Sequence, residues 1–411
     1  MRRKCTDSLI QWKKNPNRHP LLLQGLRQTG KTWLALDFAE KNYKNTLYLN
    51  LETDKPVADY LSVPRPPQDA LLFLETYAGK PLKPSVSLLI LDNIQCVPKL
   101  STLLAALSLD YPQYHIIAIH RGLASPELYS KNDFHIISLY PLDFEEFLWA
   151  NAEYALSREI RRHFSTLTPL GKELHQKALS QFYLYLVTGG MPLSVLEYRR
   201  EKKLLMVPDI QQKLLELILS DISSQAPTGM TRHCQNAWLS IPAQLEKSSR
   251  RFQYSLITKG ATAKTYEKPL DWLLQSGYAL ACRQTSLHLY PTDCGLCARV
   301  LGVPSYQLLT GSGTPAARAC TETFLAQHFT RNGYTLSYWS SGNQAEVPFL
   351  LEKEGRHIAV DYRLTPHQKT RNLTRFRAEM NTNTEMYLLS VEDFREKENY
   401  HIVPVYAGFC V

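Results

Sequence analysis

The sequence predicts an α/β protein that opens on a parallel sheet, continues through a helical region and ends in a second α/β region. Three observations carry this. Short apolar runs at 21–23, 46–51, 86–91, 114–119 and 135–139 alternate with helical stretches, and several are apolar on both faces. Such strands belong to a parallel sheet covered on both sides. A glycine-bearing turn at 25–32 joins the first run to a helix. In the last third, a helical stretch at 320–330 precedes strand-like runs at 336–339, 347–351, 357–362 and 386–389.

The chain has 411 residues, too many for one core, and two to four domains are expected at about 150 residues each. With 44% hydrophobic and 21% charged residues, each domain can bury an ordinary core, which excludes a mostly disordered chain. The longest apolar runs, at 88–91 and 103–107, fall far short of the roughly 18 residues a membrane span needs. Arg2, Arg3 and Lys4 are followed too soon by Asp7, Lys13 and Lys14 for a signal peptide. The expectation is a cytoplasmic protein with no membrane contact. Eight scattered cysteines fit a reducing compartment. Cys294 and Cys297 form a lone CxxC; without a second ligand pair, they read as small buried residues.

The helix expected over 32–42 places Trp33, Leu36 and Ala39 on one face. Pro64, Pro66 and Pro67 mark a loop. From 141 to about 224 the pattern is helical: Phe144, Phe147 and Leu148, then Leu156, Ile160 and Phe164, recur at threes and fours, interrupted by the turn Gly189-Gly190-Met191-Pro192. The stretch 223–232, with Pro227 and Gly229, reads as a linker. Short helices and a candidate hairpin at 278–282 and 287–290 follow, the layout of a small winged-helix unit. The expected domains are 1–140, 141–226, 227–308 and 309–411.

The most specific signal is Gly25-Leu26-Arg27-Gln28-Thr29-Gly30-Lys31-Thr32, which fits GxxxxGK[ST] between a strand and a helix. Its glycines let backbone N–H groups curl round a phosphate, and the helix N-terminus adds partial positive charge. Lys31 is expected to reach the outer phosphates of ATP, and the Thr32 hydroxyl to bind Mg²⁺. The nucleotide-binding set is Gly25 to Thr32 with Trp33. Four apolar residues, 88–91, bring Asp92 to a strand end, where it can hold Mg²⁺ through water. Asn93 comes next; it can hydrogen-bond a water but cannot take its proton. The candidate catalytic residues are therefore Lys31, Asp92 and Asn93.

The chain resembles the bacterial and archaeal AAA-type ATP-binding proteins of the additional-strand class, whose C-terminal half is a domain of unknown function with a restriction-endonuclease-like fold. The resemblance is carried by Gly25 to Thr32, by Asp92-Asn93-Ile94-Gln95, by the run 140–148 and by Gly189 to Pro192. It continues through 241–245, 252–254 and 272–277. It implies a P-loop core, a helical lid-like region, a winged-helix-like region and a nuclease-like α/β domain. Where the family carries Glu after the strand-end Asp, this chain has Asn93, which implies weakened hydrolysis. Where the family's fourth strand ends in a small Gly-Ser sensor, this one reads His120-Arg121-Gly122. In the last domain, Glu322 is kept, Pro348 stands at the metal-binding Asp, and Asp361 and Arg363 replace the Glu and Lys of the nuclease pattern. Arg363 cannot serve as a base, and its fork suits phosphate. The implied domain is nuclease-like but inactive.

The net charge of +9 is concentrated: 1–20 carry +5, 231–275 carry +4, 356–377 carry +5, and the rest carry −5. Clustered basic charge is the footprint of a phosphate-backbone binder. Lys247, Arg250 and Arg251, and Arg371 and Arg375 with His367 and Arg377, are the candidate nucleic-acid contacts; a solvated surface is the competing reading. Two other functions stand beside the leading one: a working ATPase whose base comes from elsewhere, including a neighbouring subunit, and a DNA-associated regulator or scaffold that uses nucleotide as a structural ligand.

Overall fold

The computed structural model describes residues 1–342, 344–366, 371–380 and 384–411; His367 lies outside them. The chain divides into two compact units: residues 2–140 with 275–277, and residues 141–274 with 278–411. The positions near 226 and 308 fall inside the second unit.

The first unit begins with α1 (Thr6–Lys14), β1 (Leu21–Gly25), α2 (Lys31–Asn42) and β2 (Asn45–Asn50). It continues with α3 (Lys55–Leu61), α4 (Pro67–Ala78), β3 (Ser87–Asp92), α5 (Leu100–Asp110), β4 (His115–Arg121) and β5 (His135–Ser138). The strands form a five-stranded parallel sheet in the order β2-β3-β4-β1-β5. Alternate residues of one strand feed opposite cores. Leu22, Leu89, Leu91 and Ala118 pack on one face, and Leu21, Leu23, Ile90 and Ile117 on the other. That is why these strands carry apolar runs instead of an alternating pattern. The apolar face expected on α2 is displaced: Leu34, Ala35, Phe38 and Ala39 are buried, while Trp33 is 49% and Leu36 39% exposed. Packing against the sheet, not the Trp33–Leu36 pair, sets the buried stripe. The C-terminal ends of β1, β2, β3 and β4 bring Gly25, Asn50, Asp92 and Arg121 to one edge, where open α/β sheets bind ligands.

The second unit starts with helices α6 (Phe144–Ala150), α7 (Tyr154–Thr166), α8 (Lys172–Thr188), α9 (Pro192–Glu201), α10 (Val207–Gln225), α11 (Thr231–Leu245) and α12 (Ala263–Gln275). The stretch read as a linker from 223 is shorter, because α10 runs on to Gln225. An antiparallel hairpin, β6 (Ala279–Arg283) and β7 (Leu287–Pro291), leads to α13 (Cys294–Leu301) and α14 (Ser305–Leu309). Then come α15 (Pro315–Arg331), β8 (Thr335–Ser341), β9 (Ala345–Lys353), β10 (Arg356–Tyr362), α16 (Asn372–Met380), β11 (Glu385–Ser390), β12 (Arg395–Glu396) and β13 (His401–Pro404). Among the described residues these strands make a mixed six-stranded sheet, β12-β13-β11-β10-β9-β8. β8, β9 and β10 are antiparallel neighbours, and β11 is parallel to both β10 and β13. Across β8 and β9, Ser337 pairs with Leu350 but Trp339 with Val347, so β9 bulges by one residue around Pro348. Proline lacks an amide donor, and a bulge is where a sheet tolerates that loss.

The turn at 189–192 is tightly seated. A Cβ on Gly190 would stand 2.0 Å from the Leu142 carbonyl oxygen, and one on Gly189 2.3 Å from Asp293 Oδ1. Asp293 caps α13 by accepting from Leu296 N (2.9 Å) and also accepts from Gly190 N (2.6 Å). Burial pushes its carboxyl up to about 6, against backbone donors that pull it down. Cys294 and Cys297 are fully buried. Among the described residues, no group of three or more His, Cys, Asp or Glu side chains is arranged to hold a metal, and no helix is long and apolar enough to cross a membrane.

Candidate functional site

The turn between β1 and α2 adopts the backbone that its residues permit. Gly25 (φ 143°) and Gly30 (φ 91°) take conformations closed to most side chains, and Gln28 (φ 65°) joins them in the left-handed region. A Cβ on Gly25 would stand 2.2 Å from the Leu139 carbonyl oxygen. Thr29 Oγ1 donates to the Leu26 carbonyl (2.9 Å), closing the loop on itself. Reciprocal backbone bonds between Gly25 and Gly122 (3.0 and 2.9 Å) tie the loop to the end of β4. The Lys31 ammonium donates to the Gly25 and Leu26 carbonyls, both at 2.7 Å, and is 8% exposed.

Opposite the loop, Asp92 is 4% exposed and well satisfied. Its Oδ2 accepts from Thr32 Oγ1 (2.6 Å) and Tyr48 OH (3.0 Å), and its Oδ1 from the Asn93 backbone N–H (2.8 Å). A hydroxyl and a carboxylate in contact are a hard-oxygen pair suited to Mg²⁺. Asn93 is left-handed (φ 57°) and its amide is engaged on both ends. Nδ2 donates to Asn50 Oδ1 (2.9 Å), and Oδ1 accepts from Arg121 Nη2 (3.1 Å). The same Arg121 nitrogen donates to Glu52 Oε2 at 2.6 Å. Burial, aided by the Lys31 charge, holds the His120 imidazole down at about 4.

These groups wall a cavity of about 370 Å³ lined by Arg27, Gln28, Gly30, Lys31, Thr32, Trp33, Tyr48, Asn50, Glu52, Asp92, Asn93 and Arg121. Of the expected nucleotide-binding set, Gly25, Leu26 and Thr29 are absent from that lining. Tyr48, Asn50, Glu52 and Arg121 line it without having been expected from sequence. Only the departure at His120-Arg121-Gly122 pointed toward any of them.

In the second unit the expected nuclease-like residues engage different partners. Glu322, on α15, is 1% exposed, and its Oε1 accepts from the Arg250 guanidinium and the Tyr362 phenol. Arg250 also donates to Glu346 on β9 at 2.6 Å. Burial works against the Arg250 charge, but Glu322 foremost, then Tyr362 and Glu346, outweigh it and raise its pKa. The Glu322 Oε2 atom is buried without a hydrogen-bond partner. Asp361 instead accepts from Asn372 Nδ2 (3.2 Å) at the start of α16, and Arg363 pairs with Glu392. Pro348 sits buried in the bulge, its carbonyl facing the Cys282 thiol at 3.7 Å. Arg250, expected among the exposed basic contacts, is thus turned inward onto two carboxylates, whereas Lys247 and Arg251 are exposed. Asp361, Arg363, Arg371 and Arg375 line one cavity of about 1030 Å³ together with Arg250, Arg318 and Glu346. Arg375 also pairs with Glu379 one turn on, at 2.6 Å.

Comparison with known proteins places the first unit. Residues 17–148 match the AAA domain family. Together with the parallel sheet and its phosphate loop, the match makes this region an AAA-type P-loop ATPase-like domain. Residues 179–307 match a domain of unknown function, DUF8612. No curated protein matches the chain. Among solved structures, it is similar to the Walker-type ATPase of Pyrococcus abyssi, at 14% identity over 73% of this chain and 95% of that one, with a TM-score of 0.46. It is also similar to the Aeropyrum pernix Orc1 protein solved in complex with DNA (13% identity, 74% and 92% covered, TM-score 0.30). A third is the Thermotoga maritima RuvB Holliday junction branch migration motor (19% identity, 70% and 89% covered, TM-score 0.32).

Proposed function

We propose that the protein binds ATP with Mg²⁺ at Gly25–Thr32, turns it over slowly, and carries a nuclease-like C-terminal region that contacts nucleic acid without cutting it. The observation that carries the nucleotide reading is the 2.6 Å contact between Thr32 Oγ1 and Asp92 Oδ2, directly beside Lys31 and the loop glycines. Thr32 and Asp92 are the residues that would hold Mg²⁺, which when bound neutralises phosphate charge. Lys31, now on two loop carbonyls, exchanges them for the outer phosphates. Slow turnover follows from Asn93, whose amide has no proton affinity to lend an attacking water.

The domain reading extends this. Residues 1–140 are the ATPase core and 141–226 a helical, lid-like region. The hairpin after α12 supports a winged-helix-like segment over 227–308, and the order α15-β8-β9-β10-α16-β11 supports a restriction-endonuclease-like domain over 309–411. The Arg250 guanidinium between Glu322 and Glu346 supports the loss of cleavage: a fixed positive charge already compensates the carboxylates that a metal would need. The arginine-lined cavity supports contact with a phosphate backbone, which asks only for positive charge at phosphate spacing. The same cavity favours a second reading, a DNA-associated regulator with nucleotide as a structural ligand.

The deciding experiment measures ATP binding and phosphate release side by side on the purified chain. Binding with turnover far below that of an ordinary ATPase is expected, and Asn93→Glu should raise it. Fast steady-state turnover removes the slow-hydrolysis reading; no binding removes the nucleotide reading altogether. Cleavage of DNA with Mg²⁺ or Mn²⁺ that vanishes in Asp361→Ala would overturn the inactive-nuclease reading.

A further inference from the structure

Hydrolysis of a phosphoanhydride is faster where a group can accept a proton from the attacking water, and Asn93 cannot. Two carboxylates line the candidate nucleotide cavity among its described residues, Asp92 and Glu52. Asp92 is committed: it is 4% exposed, and both of its oxygens accept hydrogen bonds, from Thr32, Tyr48 and the Asn93 backbone N–H. Its contact with the Thr32 hydroxyl assigns it to the metal side. That leaves Glu52.

Its position follows from the sheet. β2 and β3 are parallel neighbours in register, with Asn50 opposite Asp92. The chain therefore leaves β2 beside the place where it leaves β3, and Glu52, two residues past Asn50, emerges next to Asn93. One atom documents the proximity. Arg121 Nη2 lies 2.6 Å from Glu52 Oε2 and 3.1 Å from Asn93 Oδ1, so the carboxylate and the amide share a single donor. The Glu52 side chain is 44% exposed, which gives water access to it, whereas Arg121 is 10% exposed and fixed at the end of β4.

Resting on the nucleotide reading above, we propose that Glu52 is the proton acceptor of this site, a weaker substitute for the carboxylate that position 93 lacks because it is ion-paired with Arg121, so that turnover is slow but not absent. In the step, a water oxygen bonds to the γ-phosphorus as the bond from phosphorus to the β–γ bridging oxygen breaks. A proton of that water passes to the Glu52 carboxylate, and ADP and inorganic phosphate leave; Glu52 then returns the proton to solvent. The overall change is ATP plus water to ADP plus phosphate, with no other reactant.

The test uses the full chain with ATP and Mg²⁺, titrating binding calorimetrically and following phosphate release. Glu52→Gln keeps the shape of the side chain and should bind ATP within about threefold of wild type, yet lose turnover by about 100-fold or more, the scale of a lost general base. Adding Asn93→Glu to Glu52→Gln should restore turnover, because it returns a carboxylate to the same shared position; a variant that had merely misfolded would not recover. Wild-type turnover no higher than that of Lys31→Ala, or Glu52→Gln turning over like wild type while both bind ATP, would overturn the assignment of Glu52. Failure of the wild type to bind ATP would instead remove the nucleotide reading on which it rests.

Discussion

Arg121 and Arg250 each hold a glutamate, and the two pairs differ in what surrounds them. Glu52 is 44% exposed on a cavity wall, whereas Glu322 is 1% exposed and shares Arg250 with Glu346 and Tyr362. An ion pair open to water is worth about 0–1 kcal/mol and can exchange partners. A buried one is held by the cost of leaving either charge alone. The first arrangement suits a site that must admit a charged ligand and change its hydrogen bonds. The second suits a charge locked in place for the life of the fold.

The largest effect should come from breaking the locked pair. Arg250→Ala leaves Glu322 and Glu346 without their cation, and stability should fall by about 3–5 kcal/mol, read by denaturant unfolding. Adding Glu322→Gln should return part of that loss; a pair that behaved like a surface ion pair would show neither effect. At the open site, stability is not the sensitive readout. Lys31→Ala should weaken ATP binding by about 1.5–3 kcal/mol, the value of a hydrogen bond to a charged group, and equal affinities in calorimetry would mean that the loop does not hold the phosphates.

Acid should separate the two units. Burial, helped by Arg18 and Lys13, depresses His115 to about 4, and burial with Lys31 depresses His120 to about 4. Their unfolded values lie near 6.5, so the unfolded chain takes up protons first as pH falls, and stability present above 6.5 is lost on the way to 4. Each should contribute on the order of 1 kcal/mol between pH 7 and 5 after allowance for partial exposure. In the second unit, His288 follows the same rule. Asp293 runs the other way: with its carboxyl up at about 6, it favours the folded state as pH drops below that value. Hydrogen exchange followed by segment at pH 7 and pH 5 should show residues 2–140 loosening more than residues 278–411. Equal loosening would mean that these groups do not set the balance. The smallest effect is expected at the rim of the larger cavity. Arg371→Ala with Arg375→Ala should lower nucleic-acid affinity and flatten its salt dependence by up to about two units of slope, and binding indifferent to both would make the cavity rim plain surface.

Much of the first unit was legible because local rules and the final fold agree there. Continuous apolar runs at 21–23 and 88–91 become strands buried on both faces, though Val86, expected with the second, stays outside β3 and exposed, and the Gly25–Thr32 spacing sets a turn that few other residues can make. Trp33 shows the limit: helical spacing placed it with Leu36 and Ala39, but which stripe of α2 is buried depends on the sheet beneath. The hairpin and four strands of the last region were readable as local runs, but β12 and β13, which complete the sheet, were not expected, because two and four residues carry too short a pattern.

What sequence alone determined is the order of elements, the phosphate loop and the strand-end Asp92, all of which follow from neighbours within a few residues of each other. The tertiary structure decided which charges meet. Glu52 and Arg121 are 69 positions apart, and Arg250 and Glu322 are 72 apart. Local spacing does not set such distances; strand register does so in the first unit, and the packing of α15 and β9 around Arg250 in the second. A basic residue in a basic stretch looks like a phosphate contact until the fold supplies a buried carboxylate. At that point the cost of burying an unpaired charge overrides composition and turns Arg250 inward.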